Sequence, residues 1–211
     1  HLGPTLIGRA YAQVAIGKFA EAWADLNEAL PRLEALGLVR YQMMAHDALG
    51  CLLLGLNLPE EAAEHFDRGL RLARDAGIRY WLPRLQANLA IAQLRLGIPC
   101  DRAVLESAQQ YAQEHSEGWL TLCCLEALAE LALVEGDAQG CIKHARQLLA
   151  LASLGNMREL IGRAHCLIGR AWLAGKAYEA AHKDLVEALG ESTGIGQIPL
   201  AWKCHRALAR V

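Results

Sequence analysis

The sequence has few aromatic residues: Phe, Tyr and Trp make up 6% of the 211 residues, although hydrophobic residues make up 54%. The core must therefore be built mainly from leucine and alanine, which have high helix propensity, whereas strands favour β-branched and aromatic residues. Period-2 alternation and the Asn-Gly or Asp-Gly turns of β-hairpins are also missing from the sequence. These absences predict an all-α protein.

Runs of one kind of residue are missing as well. The 21 basic and 23 acidic residues give a net charge of −2 without a cluster of Lys or Arg, so we expect no direct contact with nucleic acid. No apolar run reaches the roughly 18–20 residues of a membrane span, so we expect no membrane partner. The seven cysteines are irregularly spaced and contain no CxxC. Free thiols in a chain of this size predict a reducing, cytoplasmic location and metal-free cysteines.

Motifs of catalysis and of cofactor binding are missing too: there is no GxxxxGK[ST], GxSxG or HExxH. Cys141 and His144 lie three residues apart on one predicted helix and offer half of a metal site, but a structural zinc needs four ligands. His165-Cys166 and Cys204-His205 are sequence neighbours that face different ways, so a Cys–His nucleophile would need a contact between helices. We therefore expect a protein without catalytic residues, metal or cofactor.

What the sequence does contain is a helical period of about 40 residues. Short turns separate amphipathic apolar stretches at intervals of 40, 40, 39 and 39 residues, marked by Gly17, Asn57, Gly97, Gly136 and Gly175. A second set of breaks falls between them, at Gly37, Gly77, Ser116–Gly118, Gly155-Asn156 and Gly194–Gly196. Self-similarity at this period predicts an α-solenoid.

The pattern predicts one domain of five antiparallel helix hairpins and a final helix. The hairpins span about 4–37, 38–77, 78–116, 117–156 and 157–194, and the final helix spans about 198–209. In the third hairpin a helix is expected from Pro99, and in the fifth the second helix is expected to end at Leu189. Because residue 1 is His rather than Met, we expect the chain to be a piece of a longer protein.

The hairpins resemble tetratricopeptide repeats (TPR). The best copy lies in 46–70, where the repeat positions are Leu49, Gly50, Leu53, Asn57, Ala62, Phe66 and Gly69. The third hairpin departs from the pattern, since Gln93 takes an apolar place and Ala103 lies one residue late. The long period is similar to that of repeats in large bacterial signalling ATPases and in transcription regulators of the maltose-activator type. The resemblance implies a right-handed superhelix with a regulatory, protein-binding role.

In the family that the chain resembles, the first helix of each hairpin lines a concave binding surface. Carried over to this sequence, that surface includes Met44, Asp47, Arg84, Ile91, Arg95, Glu126, Glu130, His165 and Trp172. Arg84 and Arg95 would hold an acidic partner, and Trp172 would be an apolar anchor. The alternative is that these charges pair with one another between neighbouring helices.

Two functional classes follow from the predicted surface. The first is a non-catalytic domain that binds a peptide or protein, and the alternative is a domain that senses a small effector in the same superhelix; an enzyme is a distant third. Aromatic residues recur near the starts of the first helices, namely Tyr41, Tyr80, Trp81 and Trp119. We expect them to pack between repeats rather than to form a ligand cage.

Overall fold

The computed structural model describes residues 2–211, which form eleven α-helices and a short 3-10 helix and contain no strand. The α-helices are α1 Leu2–Ala15, α2 Phe19–Ala35, α3 Val39–Gly55, α4 Pro59–Asp75, α5 Leu82–Arg95, α6 Arg102–Glu114, α7 Gly118–Val134, α8 Ala138–Leu154, α9 Arg158–Ala174, α10 Tyr178–Gly194 and α11 Ile198–Leu208, with the 3-10 helix at Arg79–Trp81. From α1 to α5 and from α6 to α11, each helix packs against the next one in the sequence, so the predicted all-α helical-repeat class is confirmed.

The start of helix α6 and the end of helix α10 differ from the sequence prediction. Helix α6 begins at Arg102 rather than at Pro99, because the side chain of Asp101 caps it by accepting a hydrogen bond from the backbone N–H of Ala103. Helix α10 continues to Gly194, five residues beyond the expected Leu189. No proline interrupts this segment, so the backbone continues the helix until the left-handed turn that follows.

The turns between helices share one backbone conformation. Each turn has a single residue with positive φ, and these residues follow one another at intervals of about twenty positions. They are Gly17, Gly37, Asn57, Gly77, Gly97, Ser116, Gly136, Asn156, Lys176 and Gly196. The next N–H then donates to a carbonyl five residues back, as from Lys18 to Gln13 at 2.8 Å, which is the Schellman end of a helix. In the fifth hairpin the left-handed residue is therefore Lys176, although glycine precedes it.

The chain divides into two compact units, of which unit 1 ends at Pro99 and unit 2 spans Cys100–Val211. The boundary falls inside the third hairpin, where the repeat pattern departs most from the others. In unit 1 the first helices of the hairpins, α1, α3 and α5, pack side by side as one layer. In unit 2 the first helices α7, α9 and α11 do the same.

Small residues let the two helices of a hairpin approach closely. A Cβ placed on Gly50 of α3 would lie 2.4 Å from Cε1 of Phe66, which is fully buried on α4. Gly169 and Leu185 occupy the same positions in the fifth hairpin, and there the added Cβ would lie 2.7 Å from the leucine Cγ. The glycine and the large side chain thus set the distance between helices, as the repeat motif predicts.

Candidate functional site

The structure places the nine predicted surface residues deeper than the sequence suggested. Four of them are buried, with exposed fractions of 0% for Asp47, 2% for Ile91, 4% for Glu126 and 6% for Glu130. The others are partly exposed: Met44, Arg84, Arg95, His165 and Trp172. The buried charges must find partners inside the protein, because an unpaired buried charge is strongly unfavourable.

Asp47 is the centre of a polar cluster in unit 1. Its Oδ2 accepts hydrogen bonds from the hydroxyl of Tyr11 at 2.6 Å and from Nε of Arg84 at 2.8 Å. Its Oδ1 accepts a hydrogen bond from Nδ2 of Asn88 at 2.9 Å. Burial, followed by the Asp47 charge, raises the pKa of Tyr11 well above 10. This Asp47 cluster ties α1, α3 and α5 together, and its arginine side chain is only 14% exposed.

Two related ion pairs join the first helices of unit 2. Arg163 of α9 donates to Oε2 of Glu126 on α7 at 3.1 Å, and it also pairs with Glu159 on its own helix. Arg170 of α9 donates to Oε2 of Glu130 at 3.2 Å, and the nearby carboxylate raises the pKa of the arginine. The predicted acidic residues of α7 therefore contact arginines of the next first helix.

The Asp47–Arg84 and Glu126–Arg163 pairs occupy the same repeat positions. In both pairs, the carboxylate is the tenth residue after the left-handed turn residue that precedes its helix. The arginine is the seventh residue after the left-handed turn residue that precedes its own helix. The structure thus has the pairing between neighbouring helices that the sequence left open as an alternative. These four side chains join neighbouring first helices.

Arg84 also begins a row of stacked cations and rings in unit 1. Its Cζ lies 5.1 Å from the ring centre of Tyr11 and 4.9 Å from that of Trp81. Trp81 meets Tyr80 edge to face at 6.0 Å, and Cζ of Arg40 lies 5.6 Å from the Tyr80 ring. We call these five residues the cation–aromatic ladder. Tyr80 is 45% exposed and thus offers much of its ring to solvent.

Sequence reasoning missed Arg40 and assigned Tyr80 to packing between repeats. The signal was present, because the two residues lie one 40-residue repeat apart, each the third residue after a left-handed turn residue. Equivalent positions on neighbouring first helices face the same way and therefore lie side by side.

Charge in unit 1 is divided between the two layers of helices. The first-layer helices α1, α3 and α5, with the 3-10 helix, carry five arginines and one acidic residue, the buried Asp47. The second helices α2 and α4 carry nine acidic residues and four arginines. By formal charge the first-helix layer is therefore positive, although Arg9 pairs with Asp25 of α2 at 2.6 Å and Arg84 pairs with Asp47.

In two of the hairpins, a histidine at the same repeat position lies between the two helices. In the second hairpin Nδ1 of His46 lies 3.0 Å from Nδ1 of His65, and in the fifth Nδ1 of His165 lies 2.8 Å from Oδ1 of Asp184. Burial, and next the charge of its histidine partner, lowers the pKa of His46 from 6.5 to about 4. The His46–His65 pair therefore holds a single N–H···N hydrogen bond at neutral pH.

Other classes of site find no support in the part of the chain that the structure describes. Within residues 2–211 no three His, Cys, Asp or Glu side chains converge so as to hold a metal ion. Cys141 is buried, and burial raises its pKa to about 12. No helix in that range is both long and apolar enough to cross a membrane.

The sequence matches no protein-family model and no curated protein.

Proposed function

We propose that the chain is a non-catalytic, TPR-like repeat domain of a bacterial signalling or transcription-regulatory protein. Its first-helix layer in unit 1 binds an acidic peptide or protein segment. The proposal rests on one observation: the cation–aromatic ladder crosses a layer whose arginines outnumber its acidic residues by five to one.

The ladder has the composition of a protein-binding surface. Tyr, Trp and Arg are the residues that contribute most to binding energy at interfaces, and they are efficient because they are large and partly rigid. The carboxylate of Asp47 and the rings of Tyr11 and Trp81 hold the Arg84 side chain in place before any partner arrives. Preorganisation of this kind reduces the entropy cost of binding.

The charge of the ladder favours an anionic partner. Asp47 offsets the charge of Arg84, whereas Arg40 stacks on the exposed ring of Tyr80 and pairs with no carboxylate among residues 2–211. Carboxylates form charge-assisted, often bidentate hydrogen bonds with guanidinium groups. An acidic segment with an apolar side chain for the Tyr80 ring would therefore fit this surface.

Selection from a random-peptide phage library on the purified chain tests the proposal. Peptides rich in Asp and Glu should be enriched and should bind more weakly as salt is raised, because exposed charges are screened. The double variant Arg40→Ala/Tyr80→Ala should weaken their binding at least about 30-fold, which corresponds to ~2 kcal/mol.

Trp119→Ala is the matched control. Trp119 is 42% exposed and occupies the position of Tyr80 in unit 2, so its removal takes away a similar aromatic area from another surface. It should leave binding unchanged. Peptides without an acidic bias, or equal binding by the folded double variant, would refute the proposal.

A further inference from the structure

The contact between the first helices α9 and α11 carries cysteine at a position where the α3–α5 and α7–α9 contacts carry an ion pair. Cys166 of α9 is the tenth residue after its turn residue, the position of Asp47 and Glu126. Lys203 of α11 is the seventh, the position of Arg84 and Arg163. The fold thus places the thiol of Cys166 where two other helices hold an anion opposite a cation.

A second thiol lies at the same place. Cys204 follows Lys203 on α11, and its side chain packs with Cys166 and Ala188 in one buried cluster. The two cysteines are 3% and 0% exposed. The Cys204 thiol donates a hydrogen bond to the sulfur of Cys166, which lowers the pKa of Cys166 and raises that of Cys204. Two sulfurs with different acidity therefore face each other between α9 and α11.

The positive charges near Cys166 act in the same direction as the hydrogen bond, whereas the Glu130 carboxylate, which pairs with Arg170, opposes them. After that bond and the opposing effect of burial, the positive charge of Arg170 further lowers the pKa of Cys166, and Lys203 adds a smaller contribution. In contrast, burial raises the pKa of Cys124 and of Cys141 to about 12. Burial thus favours the neutral thiol at Cys124 and Cys141, whereas the hydrogen bond from Cys204 and the charge of Arg170 shift Cys166 toward the thiolate.

We propose that Cys166 and Cys204 are a redox-active pair that forms a reversible disulfide between α9 and α11. With hydrogen peroxide as oxidant, the Cys166 thiolate attacks one oxygen, the O–O bond breaks, and sulfenic acid and hydroxide form. The Cys204 sulfur then attacks the sulfenic sulfur, the S–O bond breaks, and the hydroxide released takes up the thiol proton as water. Two thiols and one hydrogen peroxide thus become one disulfide and two waters.

The disulfide would replace a non-covalent contact by a covalent one. It would close a loop of 37 intervening residues and restrict the unfolded state, so the oxidised chain should melt at a higher temperature than the reduced chain. α11 would then be fixed on α9, whereas in the reduced protein it is held by packing on α9 and α10.

Peptide mapping of the peroxide-treated full chain tests the proposal, because trypsin releases the two cysteines separately. Cys166 lies in the peptide 164–170 and Cys204 in the peptide 204–206, and each peptide contains one cysteine. Hydrogen peroxide followed by alkylation should yield these two peptides linked, with the loss of two hydrogens, and dithiothreitol should separate them. In the variant Cys204→Ser, dimedone should instead label Cys166 as its sulfenic acid.

Cys141 is the internal control, since it is also fully buried and has a raised pKa. Circular dichroism should show that the Cys204→Ser variant is folded. Oxidation of Cys166 no faster than that of Cys141, or a disulfide from Cys166 to any cysteine other than Cys204, would overturn the proposal. Linkage that forms only after urea unfolds the chain would overturn it as well.

Discussion

Removal of the Asp47 carboxylate should destabilise unit 1 strongly. The side chain is 0% exposed and accepts hydrogen bonds from Tyr11, Arg84 and Asn88. In the variant Asp47→Ala the Arg84 guanidinium, 14% exposed, would keep its charge without the carboxylate. Breaking a buried ion pair on one side costs about 3–5 kcal/mol, so we expect the free energy of unfolding to fall by that amount.

Part of the loss should come from the unpaired charge of Arg84. The double variant Asp47→Leu/Arg84→Met removes both charges and should recover that part of the stability, while Tyr11 and Asn88 still lose the acceptor of their hydrogen bonds. Glu28→Ala is the control for an exposed pair, because Glu28 and Arg32 lie 3.0 Å apart with exposed fractions of 47% and 52%. That change should cost less than about 1 kcal/mol.

Urea unfolding followed by far-ultraviolet circular dichroism measures these differences. Tryptophan fluorescence should be recorded in parallel, because two compact units need not unfold together. If Asp47→Ala costs no more than Glu28→Ala, or if the double replacement is as unstable as Asp47→Ala alone, the buried pair does not hold the first helices together and the reasoning is refuted.

Three further changes test other parts of the structure. Gly50→Ala should cost about 1–3 kcal/mol in urea unfolding, since its Cβ would lie 2.4 Å from Phe66, and Phe66→Leu should recover part of this loss. Folding lowers the pKa of His46 from 6.5 to about 4, so the unfolded state takes up the proton first as the pH falls. The free energy of unfolding should therefore decrease by up to about 3 kcal/mol between pH 6.5 and about pH 4. His46→Leu should reduce this dependence on pH. Lys176→Gly should raise stability by about 0.5–1 kcal/mol in thermal unfolding, because lysine has φ +58° there.

The helices and turns could be predicted because their signals are local. Leucine and alanine at helical spacing, with Gly or Asn at regular intervals, define both the helices and the left-handed turns that end them. The close contact of Gly50 with Phe66 follows from the same repeat motif. The end of α10 was less predictable, because a backbone without a stop signal continues as a helix.

The partners of the charged residues could not be predicted with the same success. Asp47 and Arg84 are 37 residues apart, and their pairing depends on how two first helices are rotated and shifted against each other. The sequence pattern placed both on a partner-binding face, whereas burial at their helix contact makes them each other's partners. The Cys166–Cys204 contact was missed for the same reason, since neither cysteine has a suggestive neighbour in sequence.

The most direct test of the proposed function is a nuclear magnetic resonance titration of the chain with a library-selected acidic peptide. We predict that amide signals change in α1, α3, α5 and the 3-10 helix Arg79–Trp81, and that the same peptide with lysine in place of its acidic residues causes no change. Signal changes confined to the second helices or to unit 2, or equal changes with the lysine peptide, would contradict the account.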